Sequence, residues 1–130
     1  MNSAGALSKT TTYVRACDCL GGLGEAAVKN GCKAFIGYSE EFVIPISDEY
    51  SATPQRDPVA KPVMDVSNAI VLGLIDGKTA KAAVENSKRL TKEYIKKILY
   101  SKEFSEDNRF GDTLFALVTN DGSLGLRELE

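Results

Sequence analysis

Apolar residues recur along this chain at two different periods, and the switch between them lays out its elements. Val63, Val66, Ile70 and Leu74 follow one another in steps of three and four, which predicts an amphipathic helix over Val63–Ile75 that ends at Asp76-Gly77. A second stripe at Ala80, Ala83, Val84, Ser87, Leu90, Tyr94 and Ile98 predicts a longer helix, capped by Thr79 and reaching about Ser101. Elsewhere the apolar runs are short and rich in β-branched and aromatic residues. Thr10–Cys19, Lys33–Tyr38, Thr113–Thr119 and Leu124–Leu129 read as strands. Asn120-Asp121-Gly122-Ser123 would be the hairpin turn between the last two. Between the first two lie Gly21-Gly22-Leu23-Gly24 and a short helix, Glu25–Asn30, stopped by Gly31. Strand, short helix and strand over so few residues predict a parallel βαβ unit. All four prolines fall in Glu40–Val63, a long loop of the kind that usually serves a function.

The pattern divides the chain into a flexible lead-in, residues 1–9, and a single α/β domain over 10–130. A chain of 130 residues is one ordinary domain. Hydrophobic residues at 43% and charged residues at 26% match soluble globular proteins and exclude disorder. No run is long enough to span a membrane, and Met1–Thr12 lacks the apolar core of a signal peptide. Three cysteines, an odd number, without an export signal point to free thiols in a reducing cytoplasm. The net charge of −2 hides an uneven distribution. Residues 78–102 hold eight basic and two acidic residues, while 103–130 hold two basic and seven acidic. Lys81, Lys88, Lys92 and Lys96 stack along the second helix opposite its apolar stripe, with no aromatic residue interleaved on that face. That is a solvated helix face, and neither nucleic acid nor membrane is expected as a partner.

The sequence contains no histidine. Mechanisms that draw an imidazole base or ligand from within this chain are therefore excluded: Ser-His-Asp, Cys-His and HExxH zinc sites. Cys17, Cys19 and Cys32 are too few for zinc, so neither metal nor cofactor is expected. Cys17 ends a predicted parallel strand just before a glycine turn. There, backbone N–H groups can lower a thiol pKa and hold an oxyanion, although by spacing alone a cysteine is more often a small core residue. Gly22-Leu23-Gly24-Glu25-Ala26-Ala27, with Glu40 eighteen residues beyond Gly22, fits a dinucleotide fingerprint or a plain helix-packing turn. Tyr38, Ser39 and Glu40 end the second strand, where loops commonly build substrate pockets.

Taken together, TYVRACDCLGGLGEAAVKNGCKAFIGY, IDGKTAKAAVENS and TLFALVTNDGSLGL resemble the nucleophile strand and C-terminal half of caspase-like cysteine peptidases, nearest the CHAT branch that includes separase-like proteases. The resemblance rests on Ala16-Cys17-Asp18, Gly21-Gly22, Gly31 and Ile36-Gly37, and spans most of residues 7–128. It implies a partial three-layer caspase-like fold, with a small, mostly parallel sheet flanked by helices. It implies that Cys17 is the nucleophile, with Arg15, Asp18, Tyr38, Ser39 and Glu40 lining the substrate site. Arg15, two residues before Cys17, would favour an acidic residue before the scissile bond. Cys19 departs from the family, which often has glycine there. The family's histidine lies on a strand upstream of anything in this chain. Three readings follow: a nucleophile-bearing half peptidase, inactive until a partner or N-terminal half supplies histidine; a catalytically dead scaffold or interaction module; and a nucleotide-binding βαβ domain using Gly22 and Gly24. A peptide or protein would be the substrate of the first. A half-domain leaves strand edges open, so the isolated chain is expected to self-associate as a homodimer or higher homo-oligomer.

Overall fold

The computed structural model describes residues 10–15, 19–45, 53, 57–100 and 110–128; the predicted lead-in, 1–9, lies outside them. Within this frame the chain is mixed α and β, with four α-helices and a three-stranded sheet. β1 (Thr11–Tyr13) is followed by a π-helical turn, Leu20–Gly24, that runs directly into α1 (Glu25–Lys29). β2 (Ala34–Tyr38), α2 (Lys61–Ile75), α3 (Ala80–Tyr100), α4 (Phe110–Ser123) and β3 (Leu124–Glu128) complete the order.

β2 is the central strand. It pairs with β1 in parallel, Thr11 beside Ala34 and Tyr13 beside Ile36, as the βαβ pattern predicts. It pairs with β3 antiparallel, Gly37 opposite Gly125, so the sheet is mixed rather than mostly parallel. All five β2 residues are buried, as its unbroken apolar character requires of a strand covered on both faces. Ala34, Ile36 and Tyr38 pack against Ile70 of α2 and Ala80, Ala83 and Val84 of α3. Phe35 turns to the other face, onto Cys19, Leu20, Ala27 and Cys32. Helices thus lie on both sides of the sheet, in three layers.

The two helices predicted from their stripes form nearly where expected. Thr79 caps α3, its Oγ1 accepting from the Ala82 N–H at 3.1 Å. Gly77, at φ 86°, supplies the left-handed residue that ends α2. Two strand assignments change. Among the described residues of Thr10–Cys19, the strand is Thr11–Tyr13. Thr113–Thr119 is not a strand, and Asn120–Ser123 is not a hairpin turn; both lie in α4. The buried residues of α4 are Phe110, Thr113, Ala116, Leu117, Asn120 and Ser123, a helical spacing concealed because half of them are polar. Their polar groups are satisfied. Thr113 Oγ1 donates to the Val59 carbonyl at 2.8 Å, and Asn120 exchanges two hydrogen bonds of 2.8 Å with the backbone of Val43. α4 packs on α2 and α3 through Val63, Val66, Ile98, Phe110 and Leu117.

Ile70 is fully buried where α2 meets the sheet, whereas Leu72, two residues on, is 62% exposed. Ile70→Ala is therefore expected to cost about 2–5 kcal/mol, and Leu72→Ala almost nothing, in urea unfolding monitored by circular dichroism.

Candidate active site

The described residues on either side of the candidate nucleophile are each tied to β2. Upstream, Val14 N–H donates to the Ile36 carbonyl at 3.0 Å, the last rung between β1 and β2. Two residues beyond the paired Tyr13 and Ile36, Arg15 and Tyr38 stand at the C-terminal ends of adjacent parallel strands, the edge at which α/β sheets bind ligands. Arg15 is half-buried. Its guanidinium donates to Asn68 Oδ1 at 3.0 Å and to Met64 Sδ at 3.7 Å, both on α2, and lies 6.0 Å from the centre of the Tyr13 ring. These contacts are all neutral.

Downstream, Cys19 is buried. Its sulfur accepts the Tyr38 N–H at 3.5 Å and sits over Gly37, where an added Cβ would come within 2.6 Å of it. Leu20 sits in the same way over Gly125, at 2.5 Å from an added Cβ. Gly37 and Gly125 face each other across the β2–β3 ladder. The glycine pair thus leaves a bare patch on which the π-helical turn rests. Cys19, which departs from the resemblance, is here a packing residue. Cys32 is likewise buried, with its Sγ 3.2 Å from the carbonyls of Thr10 and Ala34. Cys17 and Asp18 lie outside the described residues.

The other expected site residues separate into two groups. Ser39 and Glu40 are exposed at the end of β2, with the Ser39 N–H tied to the Ser123 carbonyl at 2.9 Å. Tyr38 is only 2% exposed, so it supports this edge from beneath. Its hydroxyl lies 2.8 Å from that of Tyr13, which in turn lies 2.5 Å from Ser67 Oγ. Tyr13, Ser67 and Asn68 are residues that sequence reasoning missed. The alternation of Tyr13 and Arg15 along the strand was the available signal, since both side chains turn toward α2. Burial first, then the neighbouring Tyr13 hydroxyl, holds the Tyr38 phenol far above the usual tyrosine range. Burial and the Asp65 carboxylate push Tyr94 up to about 12.

Gly22 and Gly24 are helical rather than part of an open loop. The Gly24 N–H is taken by the Cys19 carbonyl at 2.8 Å, and an added Cβ there would meet the Phe35 ring at 2.7 Å. That is the packing reading of the glycine fingerprint. A cavity between β2, α3 and α4, lined by Tyr38, Ser87, Thr91 and Asp121 among others, leaves about 10 Å³ for the centre of a small molecule. It has room for a single water and not for a substrate. On α3, Lys88 donates to the Asp121 carbonyl at 3.0 Å and Arg89 pairs with Glu93 at 2.7 Å, while Lys81, Lys92 and Lys96 are exposed. Among the described residues no helix is long and apolar enough to cross a membrane.

Comparison with protein-family models, with curated proteins and with solved structures finds no match to this chain.

Two outcomes are expected from this geometry. Gly37→Ala should cost about 1–3 kcal/mol by overpacking. In a double-mutant cycle with Cys19→Ala, which removes the sulfur, the combined loss in urea unfolding should be clearly smaller than the sum of the two. The second concerns pH. A phenol whose folded pKa is raised keeps its proton in the folded state after the unfolded chain has lost it. Its stabilisation is therefore complete below about pH 10 and declines as pH rises further. Unfolding midpoints measured from about pH 8 to pH 11 should fall above the ordinary tyrosine pKa, and fall less steeply in Tyr38→Phe.

Proposed function

We propose that this chain is the nucleophile-bearing part of a caspase/CHAT-like cysteine endopeptidase, with Cys17 as nucleophile and a histidine supplied from outside its sequence. The observation that carries this reading is what flanks Cys17 among the described residues. Arg15 follows the C-terminal end of a parallel strand, and Cys19, two residues after Cys17 in the sequence, is seated on Gly37 of the neighbouring strand. Flanks held in this way beside the C-terminal edge of parallel strands suit the support of a nucleophile. The helices on both faces of the sheet fit a partial three-layer fold, and the antiparallel β3 does not oppose it.

In the chemistry proposed, the Cys17 thiolate attacks the carbonyl carbon of a peptide bond. The resulting tetrahedral oxyanion is held by backbone N–H groups near Cys17 and by a glycine of a partner loop. The carbon–nitrogen bond then breaks, the amine leaves with a proton from the imidazolium, and an acyl thioester remains on Cys17. Water, deprotonated by the same imidazole, hydrolyses that thioester and restores the thiol. With no histidine in the chain, the thiol has no resident imidazole to deprotonate it. On this reading the chain belongs to a reducing, cytoplasmic compartment and acts on a peptide or protein substrate only beside a histidine-bearing half-domain or partner.

The test uses p-nitrophenyl acetate, which needs no specificity pocket. Cys17 should be acetylated ahead of the buried Cys19 and Cys32, as read by peptide mass mapping. Added imidazole should speed turnover in the wild-type chain above the background measured with Cys17→Ala. The folded chain alone should hydrolyse no peptide. If Cys17 is acetylated no faster than the thiols of the urea-unfolded chain, the nucleophile assignment is wrong.

A further inference from the structure

The sheet runs β1-β2-β3, so β1 is an edge strand, and among the described residues no strand pairs with its outer side. Thr10 and Val14 direct their backbone groups at β2. By strand alternation, the N–H and C=O groups of Thr11, Tyr13 and Arg15 therefore face outward. An open edge of this kind is a template for another strand.

What lies above that edge gives the template its selectivity. The Tyr13 and Arg15 side chains reach Ser67, Met64 and Asn68, so α2 runs over β1. Met64, Asn68, Val71 and Ile75, with Leu72 beside them, fall on one side of α2 at steps of three and four. Leu72 and Ile75 are 62% and 75% exposed, an apolar stretch that continues from Arg15 along the helix. Among the described residues Arg15 contacts an amide oxygen, a thioether and a ring, and no carboxylate of theirs lies within ion-pair distance of it. A guanidinium held in place by neutral groups beside exposed aliphatic side chains is matched by a carboxylate followed by apolar side chains.

We infer that the open edge of β1 and the outer side of α2 together receive an extended segment of a partner polypeptide. The segment adds as a fourth strand, sets an Asp or Glu against Arg15, and lays apolar residues on Leu72 and Ile75. The spacing follows from geometry. Asn68 and Ile75 are seven residues apart on a helix, roughly 10 Å, and an extended chain covers that in about three residues. Only alternate residues of a strand share a face, so the apolar residues stand two and four positions from the acid. Main-chain pairing supplies the affinity, and the acid–apolar spacing supplies the selectivity. On this inference the acid expected opposite Arg15 comes from a docking strand rather than from a cleaved residue. The inference goes beyond the proposed chemistry and is read by binding alone, so it stands or falls apart from acylation at Cys17.

The experiment is selection of linear peptides from a displayed random library on the full chain, followed by fluorescence anisotropy with the enriched peptides. Enriched sequences should carry Asp or Glu with apolar residues two and four positions away. Their affinity should fall about tenfold or more, the loss expected for a charge-assisted contact, in Arg15→Glu and in Leu72→Asp. It should be largely retained in Arg15→Lys and unchanged in Lys92→Glu on α3. The Tyr13 and Arg15 amides should gain protection from hydrogen exchange on binding. Thermal melts of each variant separate lost binding from lost fold. Enrichment indifferent to Arg15 and Leu72, binding that depends on Lys92, or an absence of amide protection would each overturn the inference. So would a sedimentation dimer that Leu72→Asp dissolves and acidic peptides do not, since the face would then belong to a second copy of this chain.

Discussion

The seating of Cys19 and Leu20 on the paired glycines Gly37 and Gly125 is the contact on which the rest of this structure depends. A side chain at either glycine would lift the π-helical turn off the sheet, because an added Cβ would fall within 2.6 Å of what lies above it. The turn also carries Gly24 against the Phe35 ring. Three glycines thus bring the backbone of the segment after Cys17 down onto β2 and β3. Close approach of a side chain to the backbone is what glycine permits and other residues do not. One consequence is that Cys19 and the Tyr38 amide meet directly, which ties the start of the turn to the end of the neighbouring strand. The other is that helix α1 needs little length, since the sheet rather than the helix sets its position.

The opposite face is held differently. There, a hydroxyl chain from Tyr38 through Tyr13 to Ser67 joins β2, β1 and α2 inside an otherwise aliphatic cluster. Buried hydroxyls require partners, and these three satisfy one another, so the network fixes the register of β1 against α2 more closely than aliphatic packing alone. Arg15 extends it to Asn68 and Met64. β1 is only three residues long, too short to be held by its ladder, and it is the side chains of Tyr13 and Arg15 that secure it. The sheet edge and the outer side of α2 thereby behave as one surface.

The elements that were legible in the sequence are those whose burial and polarity agree. α2 and α3 could be read from their stripes, and β2 from an apolar run buried on both faces. α4 was misread for a physical reason. Its inward residues include Thr113, Asn120 and Ser123, while Phe115 and Val118 are more than half exposed. The polarity of the segment is thus partly inverted, and its β-branched and aromatic content then favours a strand reading. Nothing local announces that Asn120 clasps the backbone of Val43, seventy-seven residues away in sequence. Around the candidate site, what was legible is the parallel strand before Cys17 and the glycine-rich turn after it. The site's supports were not. Ser67 and Asn68 belong to a helix read only for its apolar side, and the burial of Tyr38 beneath this edge follows from packing that local sequence does not show.

Two kinds of incompleteness coincide in this chain. One is chemical: a thiol that would act as a nucleophile at neutral pH needs a base or a cationic neighbour to hold its thiolate, and the sequence offers no imidazole. The other is geometrical: an edge strand with outward-facing backbone groups, beside exposed Leu72 and Ile75 and a guanidinium without an acidic partner among the described residues. Each deficit could be met separately, by a small-molecule base or by solvent. The two deficits differ in kind, since the first concerns proton transfer at a thiol and the second concerns backbone pairing along β1, so meeting one does not meet the other.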